Sequence, residues 1–320
     1  MKVLPTEKKA YDDFSLTKVV SMGPITELTT YQKKIPGPPI RKIDKDNFLD
    51  LRSGELREYQ HTENRSENLD GVRKTLANIR AIVNTNVTVP ENVRWVTLTY
   101  AENMTDTERL YQDFRKFWQK FKRWCKANDA GQPEYITVQE PQGRGAWHIH
   151  AFFIWDKPAP FIDNNQVMEK LWGHGFTKTK SLQDCDNIGA YFGAYLADMP
   201  LDEVKDLPDR EKEKALTAGE IMTKSFADGQ DLIKDKKFIK GARLIFYPSG
   251  MNILRKSKGI KSPDIQFMPR YQAEKKVSSD KLTFSSAYEI IDDNSCVKNT
   301  ITKAYYNSKR KEKQQDNQIG

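Results

Sequence analysis

A chain of 320 residues, 38% hydrophobic and 11% aromatic, is long enough to bury a large core, and its 52 basic against 44 acidic residues leave a net charge of +8. That basic excess suits an anionic partner such as nucleic acid. Three scattered cysteines, Cys125, Cys185 and Cys296, exclude a disulfide framework and a CxxC metal site. No stretch approaches the roughly 18 apolar residues of a membrane span, and Met1 to Glu7 lack the apolar centre of a signal peptide, so the expected location is the cytoplasm.

Residues 1–60 are mixed in character and interrupted by Pro36-Gly37-Pro38-Pro39, which resists regular structure. Leu69, Val72, Leu76, Ile79 and Val83 recur at helical spacing with Arg73, Lys74 and Arg80 off the stripe, which predicts an amphipathic helix docked on the core. Arg94 to Tyr100 reads as a strand. Thr105 followed by Glu108 has the spacing of a capping box, opening a helix with the stripe Leu110, Phe114, Phe117, Phe121 and Trp124. Tyr135 to Gln139 is a second strand, Pro141 to Gly145 a turn, and Ala146 to Ile154 a third, buried strand. A helix near Asn165–Trp172, a strand near Phe176–Leu182 and a helix near Asn187–Met199 complete a β-α-β-β-α-β-α order. The expected fold class is therefore α+β, an antiparallel sheet with helices on one face. Beyond Pro200, residues 201–240 are densely charged with a weak helical signal. Ala242 to Tyr247 reads as a strand, Arg255 to Lys261 as a basic loop, and the last dozen residues as a frayed tail. The resulting division is an N-terminal extension over 1–88, a core over 89–200 and a C-terminal extension over 201–320, a candidate DNA-binding segment.

Two of only four histidines, His148 and His150, sit two apart on the third strand and so project from one face. If the preceding turn centres on Arg144, antiparallel pairing sets Glu140 opposite His148, because opposed residues share a face with Cβ atoms about 5 Å apart. One carboxylate and two imidazoles would then converge as divalent-metal ligands; a one-residue slip would turn Glu140 away. Further on, Tyr191 and Tyr195 stand at i and i+4 and share one face of the predicted helix. A phenol with a pKa of about 10 is a competent nucleophile at phosphorus only where something polarises the phosphate or steadies the leaving oxygen. His174 reads as a turn residue. Arg144, Trp147 and the 255–261 loop are candidates for contacts to DNA.

With these pieces in place, the chain resembles the HUH superfamily of single-strand DNA endonucleases, and in particular the rolling-circle replication initiators of Gram-positive plasmids, integrative elements or phages. The resemblance rests on three motifs in order across about 93–200: Val96-Thr97-Leu98-Thr99-Tyr100, His148-Ile149-His150, and the Tyr191–Tyr195 helix, with Glu140 where related initiators often carry a third ligand. Asn84-Thr85-Asn86 and Tyr247-Pro248-Ser249-Gly250 are also similar to initiator segments. The resemblance implies an RRM or ferredoxin-like core and one divalent ion, Mg²⁺ or Mn²⁺ before Zn²⁺, held by Glu140, His148 and His150. It further implies Tyr195 as primary nucleophile with Tyr191 as the second, and single-stranded or hairpin origin DNA as substrate. Many relatives carry a lysine three residues after the tyrosine; here those positions are Ala194 and Asp198. No segment matches GxxxxGK[ST], so a host helicase is the expected source of unwinding, and no membrane partner is expected. Two other readings stay open: a two-tyrosine transposase of the same superfamily, and a non-catalytic protein that binds an origin or operator.

Overall fold

The computed structural model describes residues 2–8, 12–33, 40–59, 68–143, 145–182, 188–189, 196, 198–228, 232–292 and 296–310. The chain divides into two compact units, one made of residues 1–61 and 262–320 together and the other of 62–261. This division differs from the expected boundaries at 88 and 200, because the two ends of the chain pair with each other. In the terminal unit, Lys2–Thr6, Lys281–Ile291, Val297–Asn307, Ile25–Tyr31, Leu16–Met22 and Asp264–Pro269 form, in that spatial order, one antiparallel six-stranded sheet. The helix Arg270–Lys276 packs on it through Ala273, which with Val19, Leu28 and Val277 makes a small core.

The central unit opens with α1 (Leu69–Asn86), capped by the Asn68 side chain, which accepts from Gly71 N. Its stripe is buried as expected, with Ile79 and Val83 fully enclosed and Arg73 and Lys74 exposed. Next come β1 (Val93–Leu98), α2 (Thr107–Ala127), β2 (Glu134–Pro141), β3 (Trp147–Ile154), a π-turn over Asn164–Met168 leading into α3 (Glu169–Trp172), and β4 (Thr177–Ser181). Beyond them lie β5 (Met199–Pro200), α4 (Leu201–Lys205), α5 (Asp209–Thr217), the hairpin β6 (Ile221–Asp228) and β7 (Leu232–Ile239), and β8 (Leu254–Lys256). The main sheet has the order β4-β1-β3-β2-β8, antiparallel throughout. β3 thus lies between β1 and β2 and runs against both, the arrangement of a split β-α-β unit.

α2 covers one face of this sheet. Phe114, Phe117 and Phe121 meet Tyr135 and Phe153, with ring centroids 4.7 Å apart for Phe121 and Phe153. Tyr135 and Phe153 alternate with Glu140, His148 and His150 along the pleat, so these last three occupy the opposite face.

Three local expectations are corrected. The α2 cap is Asp106, whose carboxylate accepts from Glu108 N and Arg109 N; the Thr105 carbonyl instead accepts from Trp147 Nε1. Ala242–Phe246 is a 3₁₀ helix rather than a strand. Ala242, Arg243 and Leu244 are buried consecutively with Tyr247 three residues on, a pattern that one sheet face cannot produce and a three-residue turn can. The predicted helix to Met199 stops short, since Met199 and Pro200 pair with Ile239 and Phe238 as β5.

Candidate metal centre and active site

The β2–β3 hairpin has the register that two-fold alternation requires. Glu140 pairs with His148 and Pro141 with Trp147, and β1 brings Thr97 opposite His150. The turn closes through Gly145 N donating to Gln142 O and Gln142 N donating to Ala146 O. Gly145 sits at φ +80°, and a Cβ on Gly143 would stand 2.9 Å from Cβ of Glu203, so both turn positions require glycine.

On this hairpin three ligating atoms converge. Glu140 Oε2 lies 2.7 Å from His150 Nε2 and 3.1 Å from His148 Nε2, and the two Nε2 atoms are 3.0 Å apart. Ligand atoms in adjacent positions of an octahedron at about 2.1 Å from the ion stand about 3.0 Å from each other, so the spacing fits one triangular face of such a shell. The N₂O donor set is acceptable to Mn²⁺ and Zn²⁺ and, with oxygen ligands completing the shell, to Mg²⁺. Thr97 Oγ1 is 3.3 Å from His150 Nδ1 and fixes that ring from behind. His148 Nδ1 is buried with no hydrogen-bond partner, so the proton of a neutral His148 favours Nε2, facing Glu140, until a cation takes that lone pair.

Electrostatics hold the set ready to ligate. Burial raises the Glu140 carboxyl, but hydrogen bonds from His148 and His150 and the charge of Arg243 outweigh it and leave the group well below its ordinary range. Burial, first, and the adjacent His148 lower His150 below 6.5, against the opposing pull of Glu140, so this imidazole is neutral at pH 7.

Sequence reasoning missed the group behind Glu140. Arg243, buried in the 3₁₀ turn, has Nε 3.3 Å from Glu140 Oε1, the oxygen turned away from the histidines. Its other donors reach Pro141 O (2.6 Å), Asp198 O (3.0 Å) and the Glu203 carboxylate (3.1 Å). An arginine inside the apolar run Ala242-Arg243-Leu244-Ile245-Phe246 was the available signal, since a buried guanidinium implies a carboxylate partner. The two weaker resemblance segments also acquire roles. Asn84 Oδ1, buried, accepts from Gly189 N, and the Tyr247 hydroxyl contacts the carbonyls of Gln139 and Leu196 at 3.2 Å each.

Tyr191, Tyr195 and Arg144 lie outside the described residues. On either side of the tyrosine stretch, Gly189 is held by Asn84, Leu196 by Tyr247, and Asp198 by Arg243 and by the Gly241 amide. Trp147, a candidate for stacking on DNA, is instead 3% exposed against Tyr247. His174 occupies a bend after α3, with Nε2 3.7 Å from Asp113 Oδ1 and its ring between Tyr100 and Trp172. The buried Asp113 also bonds the Tyr100 hydroxyl, an arrangement that pins a loop rather than one that opens to substrate.

An antiparallel α+β sheet that presents a Glu-His-His cluster on the face left free by its main helix defines a metal-binding domain of the kind that works on phosphate esters. Residues 93–200, about a third of the chain, match the family model described as Replication-associated protein ORF2, which supports a role in replication initiation. No curated protein and no solved structure matches the chain. Glu140, His148, His150 and both tyrosines fall within the matched segment; Arg243 and Tyr247 fall beyond it. Among the described residues, no helix is long and apolar enough to cross a membrane.

Proposed function

We propose that this chain is a rolling-circle replication initiator that nicks and rejoins single-stranded origin DNA through a 5′-phosphotyrosine. The observation that carries the reading is the convergence of Glu140, His148 and His150 inside the segment that matches replication-associated proteins. The 4-1-3-2 order of the first four strands supports an RRM or ferredoxin-like core of the HUH kind. A divalent ion bound by the three side chains, Mg²⁺ or Mn²⁺, would supply charge to the scissile phosphate and to the departing 3′ oxygen.

In this reading the Tyr195 oxygen attacks phosphorus and the P–O3′ bond breaks. The phenolic proton is lost, the 3′ oxygen gains one, and the 5′ phosphate stays on the tyrosine, conserving the diester for rejoining. Tyr191 accepts the second transfer. Support comes from the chain on either side: Leu196 adjoins Tyr195, and consecutive Cα atoms are about 3.8 Å apart. Tyr247 ties Leu196 to the carbonyl of Gln139, next to Glu140, while Arg243 ties Asp198 to Glu140 itself. Arg243 presents Glu140 with Oε2 toward the histidines. Its cation also abuts residue 198, where many relatives carry a lysine.

The test is a denaturing gel of the protein with a labelled single-stranded origin oligonucleotide and Mn²⁺. A covalent protein–DNA band is expected for wild type and absent for Tyr195→Phe and His148→Ala. Origin binding without cleavage in any metal would move the chain to the non-catalytic reading. Loss of the band in Tyr191→Phe alone would exchange the roles of the two tyrosines.

A further inference from the structure

The outward face of α2 carries a charge that the nicking site does not use. Between Phe114 and Asn128 there is no acidic residue, while Arg115, Lys116, Lys120, Lys122, Arg123 and Lys126 are all exposed. None of the six forms an ion pair among the described residues; Arg123 bonds the Gln119 carbonyl and Lys122 lies 5.9 Å from the Trp118 ring. At about 100° per residue these side chains fill a continuous arc of roughly 160°, and along the axis they extend over about 16 Å. Like charges at i,i+4, as in Lys116–Lys120 and Lys122–Lys126, weaken a helix. Six cations also compare with a net charge of only +8 for the whole chain. An open pocket of about 410 Å³ lies on this face, lined by Gln119, Lys122, Arg123, Lys126 and Gln132, all donors.

The geometry points to a second nucleic-acid contact: the outer face of α2, on the side of the sheet away from Glu140, His148 and His150, binds the phosphate backbone of duplex DNA. The choice of nucleic acid as the polyanion rests on the function proposed above. The choice of duplex rests on what the face lacks. Grooves for single strands combine cations with free aromatic platforms, whereas the rings here are engaged inward, Trp118 stacked on Phe153 at 5.6 Å and Trp124 on Phe121. A rigid row of cations without rings matches a regular ladder of phosphates and carries no base readout. Single-stranded origin DNA would then occupy the metal face while flanking duplex lies across α2.

The test is equilibrium binding in EDTA, where nothing is cut, with fluorescein-labelled 30-bp duplex of arbitrary sequence and with oligo-dT, read as anisotropy across a salt series. Wild type is compared with Lys122→Gln/Arg123→Gln/Lys126→Gln and with the charge-preserving Lys122→Arg/Lys126→Arg. Each phosphate contact removed lowers the salt slope by about 1. The expected result is therefore a slope lower by about 3 on duplex for the triple variant, a wild-type slope for the charge-preserving one, and little change on oligo-dT. An unchanged slope on duplex would overturn the inference, and so would an equal loss on oligo-dT. These exposed positions are expected to leave the melting curve unaltered. A triple variant that nicks normally and keeps its salt slope sinks this inference alone, whereas absence of the covalent adduct sinks the proposed function alone.

Discussion

Replacing Arg243 by alanine tests whether the carboxylate of the cluster depends on a cation more than a hundred residues away. The substitution strips Glu140 Oε1 of its partner at 3.3 Å and leaves the carbonyls of Pro141 and Asp198 without the donors that now reach them at 2.6 and 3.0 Å. Glu203, with a side chain 39% exposed, can turn to water and loses little. Glu140 cannot, being 4% exposed. Removing one partner of a buried pair costs about 3–5 kcal/mol, because a charge is left uncompensated. For a unit of this size each kcal/mol shifts the melting temperature by about 2–4 °C, so a fall of roughly 6–20 °C is expected.

The assay is built into the sequence. All six tryptophans (Trp95, Trp118, Trp124, Trp147, Trp155 and Trp172) belong to the central unit, so intrinsic fluorescence during urea or thermal unfolding follows that unit alone. Arg243→Lys should recover only part of the loss, since an ammonium cannot aim donors in three fixed directions at once. Glu140→Gln/Arg243→Met should be less destabilised than the sum of its single changes, because neither charge is then left alone. A loss below about 1 kcal/mol for Arg243→Ala would refute the reasoning and assign the holding of Glu140 to the histidines.

Mn²⁺ should raise the tryptophan-monitored stability by about 2.7 kcal/mol at a hundred times its Kd, and this shift should vanish in Glu140→Ala and His150→Ala, as titration of the unfolding midpoint will show. Acidification should destabilise the metal-free central unit. His150 and Glu140 both have folded pKa values below their unfolded ones, so the unfolded chain binds protons first and stability is lost as pH falls, beginning near 6.5 with His150 and continuing below about 4.5 with Glu140. In His150→Gln the first part of that fall should be absent from urea midpoints measured between pH 7.5 and 5. Burial pushes the Cys125 thiol up to about 11 and encloses it, while Cys296 is exposed. Iodoacetamide at pH 8 should therefore label Cys296 long before Cys125, whose modification, followed by mass spectrometry, should track unfolding. Asp106→Ala should cost about 1 kcal/mol through loss of the α2 cap, read from the same fluorescence midpoint, whereas Thr105→Ala should be close to neutral.

The metal cluster was legible because it is local. Strand periodicity of two puts His148 and His150 on one face, and the hairpin, with its turn centred on Arg144, fixes which residue opposes His148. The stripes of α1 and α2 were legible for the same reason, since each helix buries a face set by its own spacing. Failures occur where a neighbour in space decides. Thr105 and Asp106 are both acceptable caps in isolation, and the choice falls to Asp106 because the Thr105 carbonyl is held by the indole of Trp147. Ala242 to Tyr247 has strand-forming residues, yet its conformation follows from burying Arg243 against Glu140. The pairing of the chain's two ends in one sheet is a contact between segments some 270 residues apart, beyond the reach of any local pattern.

The parts of the site divide by how they are encoded. The ligands lie ten residues apart at most and share one hairpin, so their convergence survives any change that preserves register. What aims them is assembled from far along the chain: Arg243 on Glu140, Tyr247 on the carbonyls of Gln139 and Leu196, Asn84 on Gly189. These three side chains are buried polar groups with specific partners, and such groups cost stability unless every partner is in place. A helix or strand chosen only for packing would have apolar residues there. Their presence argues that the central unit gives up some packing energy to fix two things together: the orientation of Glu140, and the position of the chain on both sides of Tyr191 and Tyr195. Coupling a carboxylate ligand to the backbone around a nucleophile through one guanidinium makes metal geometry and nucleophile placement respond as a unit. A single substitution at Arg243 should therefore lower stability, Mn²⁺ affinity and adduct formation together.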